Sequence, residues 1–105
     1  MNHMTLKILY QTILNRQQQA SDRSYVASLF QQGTDRIIQK VGEEAVEVVI
    51  AAKNNDPDRL ISETADLFFH TLVMLAARRV TLDQVLIELE QRNSPVKAKG
   101  DATIT

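Results

Sequence analysis

The chain has no cysteine and no tryptophan, only two prolines and three glycines, and just 5% aromatic residues. Without cysteine it has no disulfide, no zinc–thiolate site and no thiol nucleophile. Few aromatics but 44% hydrophobic residues make the core an aliphatic one. Neither sign of charge dominates: twelve basic residues against thirteen acidic ones leave a net charge of −1. That balance argues against a nucleic-acid partner, because such binders must neutralise many phosphates. Met1–Thr5 has no apolar signal region, and no run approaches membrane-spanning length, so no membrane partner is expected and the cytoplasm is the expected compartment. No stretch sustains period-two alternation and no internal repeat occurs, which leaves an all-α fold. With 105 residues the chain forms one domain, long enough to bury about 65% of its unfolded surface.

What is present is organised around Lys40–Asp66. On a helix, Lys40, Glu43, Glu44 and Glu47 project within one narrow sector. After a break at Asn54-Asn55-Asp56-Pro57, Glu63, Asp66 and His70 do the same on the next helix. Both helices are otherwise apolar nearly all round, through Ile37, Val41, Val46 and Val48 on the first and Leu60, Leu67, Phe68 and Leu72 on the second. Helices of that kind are buried, so the five carboxylates are expected to turn inwards. Buried like charges need a compensating cation, and a hard divalent ion takes oxygen ligands. The alternative is an ordinary solvated acidic face, the usual fate of a glutamate-rich stripe.

The remaining elements follow in order. Thr5 to about Arg16 reads as a helix with Leu6, Leu9, Ile13 and Tyr10 inward, followed by a polar loop to Arg23. Ser24–Phe30 reads as two helical turns capped by Asp22 or Ser24 and ended by Gly33. The long helix starts at Thr34 or Asp35 and runs to about Asn54. Gly42 inside it serves either close helix packing or the approach of a ligand. Asp56-Pro57 opens a helix that runs to about Arg79, and Thr81-Leu-Asp-Gln84 is a capping box for a last helix ending near Arg92. From 93 to 105 the chain reads as a flexible tail that phosphates would order.

These residues resemble phosphoribosyl-ATP pyrophosphatase. The likeness rests on Ser24-Tyr25 with Leu29 and Gly33, on Lys40-Val-Gly-Glu-Glu-Ala45 with Glu47, and on Ala51-Ala52-Lys53. It continues through Glu63-x-Ala-Asp66-Leu67 with His70 to Val85-x-x-x-Leu89-x-x-Arg92, and covers roughly residues 5 to 92. The two acidic motifs alone indicate the wider all-α, MazG-like pyrophosphatase group; Ser24-Tyr25, the Lys40 run and His70 narrow it to the histidine-pathway branch. Phe69 stands where tyrosine is common, and Val26 where threonine is. The resemblance implies a Mg²⁺-dependent hydrolase that converts 1-(5-phosphoribosyl)-ATP to 1-(5-phosphoribosyl)-AMP and pyrophosphate, the second step of histidine biosynthesis. It implies Glu44, Glu47, Glu63 and Asp66 as metal ligands and Glu43 as the residue that orients or deprotonates water.

The basic and polar residues have two readings each. Lys40 screens Glu43 and Glu44 through helical pairing or meets a phosphate. Arg16 and Arg92 complement helix C-termini or contact substrate. His70 is a hydrogen-bonded core group or part of the site. Ser24 and Tyr25 cap and pack a helix, and the resemblance promotes both to substrate contacts. Two helices this apolar cannot be covered by the remaining elements, so a homo-oligomer is expected, a dimer first, whose four-helix core is completed by two chains. A partner chain would then supply Arg92, Lys97 or Lys99 to phosphates. A related pyrophosphatase acting on another nucleoside triphosphate and a non-enzymatic dimerisation module are the competing readings.

Overall fold

A computed structural model describes residues 5–19 and 23–93. Asp22, Lys97, Lys99 and the tail reading from 94 onwards lie outside the described residues. Five helices follow one another: α1 (Leu6–Gln17), α2 (Tyr25–Gln32), α3 (Thr34–Lys53), α4 (Pro57–Ala77) and α5 (Leu82–Arg92), with no strand among the described residues. The all-α expectation holds.

Each start has a local cause. Thr5, Ser24, Asp56 and Thr81 are N-caps whose side chains accept from Ile8, Ala27, Arg59 and Gln84 backbone N–H groups. Pro57 follows Asp56 at the first helical position, and the Thr81–Gln84 capping box is complete in both directions. Between α2 and α3, Gly33 has φ 101°, a conformation that only glycine adopts without strain.

α3 and α4 both end in the same way. Asn55 (φ 55°) and Arg79 (φ 58°) turn left-handed, while the Asp56 N–H donates to Ala51 O and the Val80 N–H to Leu75 O. This is the Schellman pattern, which satisfies orphan carbonyls at a helix C-terminus. Asparagine tolerates that conformation; arginine is there without such an excuse. It ends α4 at Ala77, two residues before the expected Arg79.

The core draws one fully buried aliphatic side chain from each of the first four helices: Ile13, Leu29, Ile37 and Val73. α5 joins through Leu82, and the Tyr10 hydroxyl donates to Val80 O at 2.7 Å, tying α1 to the α4–α5 turn. Tyr10 is buried enough to raise its pKa by desolvation.

The long helices are not buried all round within one chain, in keeping with the expectation that the remaining elements cannot cover them: α3 buries only Ile37 and Ala51 while Val46, Val49, Ile61 and Phe68 are exposed. Two other expectations need correction. Leu6 is exposed rather than inward. α4, at 21 residues, does reach membrane-spanning length and apolarity. Only part of that apolarity goes into contacts within the chain, through Leu72, Val73 and Ala76, and the helix also carries Glu63, Asp66 and the buried His70.

Candidate metal and phosphate site

The site lies in the seam of the α3–α4 hairpin. The tight Asn54–Asp56 turn folds α4 back along α3, so the two acidic stripes face each other. One carboxylate oxygen each from Glu44, Glu63 and Asp66 lie within 4.8 Å of one another. Three carboxylates so close repel, and an oxygen-only donor set suits a hard divalent cation. The cluster is not sunk in the interior as expected: Glu44 and Glu63 are half-buried and Asp66 is exposed. One chain leaves it open on one side, because nothing covers α3 and α4 all round.

Lys40 is the cation beside it. Its Nζ lies 3.2 Å from Glu44 Oε1 and 3.9 Å from Glu43 Oε1. The hydrogen bond to Glu44 holds the Lys40 pKa above its ordinary value, against the pull of burial, with smaller contributions from Tyr25 and the charges of Glu44 and Glu43. Both readings of Lys40, as screen and as phosphate contact, fit that position.

Glu43 and Glu47 stand outside the triad. Glu43 accepts from Gln39 Nε2 at 2.9 Å and lies 3.6 Å from Arg36. Glu47 Oε2 accepts from Arg59 at 3.1 Å, across the hairpin turn. Arg36, Gln39 and Arg59 were not singled out from sequence. Arg59 was the legible one, since it occupies the first turn of α4 opposite the last turns of α3.

His70 is buried at 4% exposure, directly beneath the acidic face. Its Nδ1 is 2.8 Å from Asp66 O and its Nε2 is 2.9 Å from the Tyr25 hydroxyl. The Tyr25 ring stacks on Phe69 at 5.9 Å and meets His70 edge-on. Histidine is therefore a satisfied core group and a neighbour of the site at once. Ser24 caps α2 and delivers Tyr25 to this place.

Arg16 lines a pocket of about 250 Å³ with Gln17, Gln19, Ala27, Phe30 and Gln31, which includes none of the carboxylates. Arg92 bonds Glu88 on α5 at 2.8 Å. Gly42 is exposed, and a Cβ there would meet nothing, so close packing within the chain does not explain it.

Comparison with known proteins adds a family to this geometry. The sequence profile of phosphoribosyl-ATP pyrophosphohydrolase matches residues 6–93. A phosphoribosyl-ATP pyrophosphatase of Trichlorobacter lovleyi is 53% identical over 91 residues, covering 87% of this chain and 84% of the relative. One from Bacillus mycoides is 41% identical over 96 residues, covering 91% and 90%. A third, from Bacillus cereus, is 41% identical over 95 residues, covering 90% and 89%.

Proposed function

The chain belongs to the phosphoribosyl-ATP pyrophosphohydrolase family, and on that premise we propose that it hydrolyses 1-(5-phosphoribosyl)-ATP to 1-(5-phosphoribosyl)-AMP and pyrophosphate in histidine biosynthesis, in the cytoplasm. The observation that carries the reading is the convergence of Glu44, Glu63 and Asp66 in one seam beside Lys40. Those three carboxylates would hold Mg²⁺, with Glu47, one turn along α3, joining them on release from Arg59. Bound there, the ion neutralises phosphate charge and activates water. Lys40, an ammonium bonded to Glu44, would meet phosphate oxygens. Water adds to phosphorus as the bridge between the α- and β-phosphates breaks, and Glu43, adjacent to Glu44 and open to solvent, takes the water proton. Phosphorus NMR of the products tests the bond chosen. Pyrophosphate with the monophosphate derivative is expected; orthophosphate with a diphosphate would overturn the reading.

The functional unit proposed is a homodimer. Ile38, Gly42, Val46 and Val49 recur at four, four and three residues, all exposed, on the face of α3 opposite its acidic stripe. On α4, Ile61, Ala65 and Phe68 do likewise. Among the described residues, twelve large hydrophobics are exposed, these two stripes included, which is more than a monomer's surface ordinarily scatters. A second copy, two-fold related, presents the same stripes in return and accounts for a glycine where helices would meet closely. Arg92, paired with Glu88 on α5, would make its contact with phosphate across the dimer.

A further inference from the structure

We propose that His70 is a positioning residue that fixes the Tyr25 hydroxyl as a hydrogen-bond acceptor towards the ligand, so that Tyr25 reads a sugar hydroxyl or base N–H and not a phosphate. The inference rests on the nucleotide-hydrolysis reading for the identity of the ligand, and on hydrogen-bond polarity for the rest. Asp66 O, 2.8 Å from Nδ1, is a carbonyl and can only accept. The single proton of a neutral imidazole is therefore on Nδ1, which leaves Nε2 as an acceptor. The Tyr25 hydroxyl, 2.9 Å away, must then donate its one proton to Nε2. What the phenol oxygen has left is lone pairs. Ionised phosphate oxygens also offer only lone pairs, so the two do not hydrogen-bond.

Aromatic packing supports this arrangement. Phe69 stacks on Tyr25 with 24° between the planes, and His70 is edge-on to both rings, at 5.8 Å from Tyr25 and 5.1 Å from Phe69. Ser24 pins the start of α2 by accepting from the Ala27 N–H at 3.1 Å. Tyr25 is nonetheless 52% exposed, so the residue stands open to a ligand even though its hydroxyl bonds a buried histidine. The division of labour is then explicit: Lys40 and the metal-binding carboxylates address the phosphates, and Tyr25 addresses the nucleoside part. His70 links the two, since the residue whose carbonyl sets its tautomer, Asp66, is itself one of the three clustered carboxylates.

Long-range proton–nitrogen NMR of the wild-type protein at about pH 8.5, where an imidazole is neutral, reads the tautomer directly. An Nδ1–H tautomer is expected, and an Nε2–H tautomer overturns the proposal whether or not the protein turns over substrate. Kinetics give the second arm. Tyr25→Phe should raise KM for phosphoribosyl-ATP about tenfold with a smaller change in kcat, and leave inhibition by inorganic pyrophosphate unchanged. Equal weakening of both would mean that Tyr25 serves phosphate and would overturn the proposal. His70→Phe should raise KM alike and add nothing in the Tyr25→Phe background, while His70→Gln, which still accepts and donates, should recover part of the loss. Additive effects of the two changes would also overturn it. Absence of turnover in the wild type would count against the hydrolysis reading alone, because the tautomer is measured on the free protein.

Discussion

At the scale of single residues, charge decides what each carboxylate does. Glu44, Glu63 and Asp66 share one small space, whereas Glu43 and Glu47 are drawn aside by Gln39, Arg36 and Arg59. Glu63→Gln keeps the shape and removes one ligand charge, so Mg²⁺-dependent turnover should fall at least about 10²-fold with helix content by circular dichroism unchanged. Full turnover at saturating Mg²⁺ would contradict the ligand assignment. Lys40 gives a pH test. Its pKa is raised on folding from 10.5, so the Lys40–Glu44 bond contributes stability that is fully present below that value and is lost as pH climbs through the folded pKa. The melting-temperature gap between wild type and Lys40→Met should be constant from neutral pH to the ordinary lysine range and close above it. A gap that persists beyond there would show that packing of the lysine stem, not its charge, is what stabilises. The acidic stripes, Lys40 and their shared face were legible in the sequence because helical spacing alone sets them. The sorting of five carboxylates into three and two was not, since it depends on which acidic side chains of α3 and α4 converge across the folded hairpin and which are held by Arg36, Gln39 and Arg59.

At the scale of elements, the helix starts were readable and one helix end was not. Thr5, Ser24, Asp56 and Thr81 act through side chains chosen for capping, so their types announce them. Arg79 carries no such mark. It turns left-handed because the α4–α5 corner must close, with Val80 bonded to both Leu75 and Tyr10. Arg79→Gly should relieve that strain and raise stability by about 1 kcal/mol, as urea unfolding would measure; an equal loss would mean that the guanidinium makes a contact worth more than the strain. α5 is held at its start by Leu82 and exposes Val85, Ile87 and Leu89 beyond it. Beyond Leu82 and Leu86 little packing holds α5, so its first turn leans on the capping box, and Thr81→Ala should cost about 1 kcal/mol, read as faster hydrogen exchange confined to α5.

At the scale of the whole molecule, the exposed apolar surface and the proposal of a dimer are one matter. The apolar girdles of α3 and α4 were read from sequence as more than one chain can cover, and Val46, Val49, Ile61 and Phe68 are exposed. Periodicity reports that a face will be covered, not by which chain. Val46→Asp, placed in the outer stripe of α3 and away from the acidic seam, should convert a dimer to monomer in sedimentation at micromolar concentration and lower activity with it. An active wild-type monomer would refute the dimer. The most direct test of the central claim is the release of pyrophosphate from phosphoribosyl-ATP and from a panel of ordinary nucleoside triphosphates, each with and without Mg²⁺. Mg²⁺-dependent release from phosphoribosyl-ATP in strong preference to the panel is the predicted result. Release that ignores Mg²⁺, or that favours another triphosphate, would contradict it.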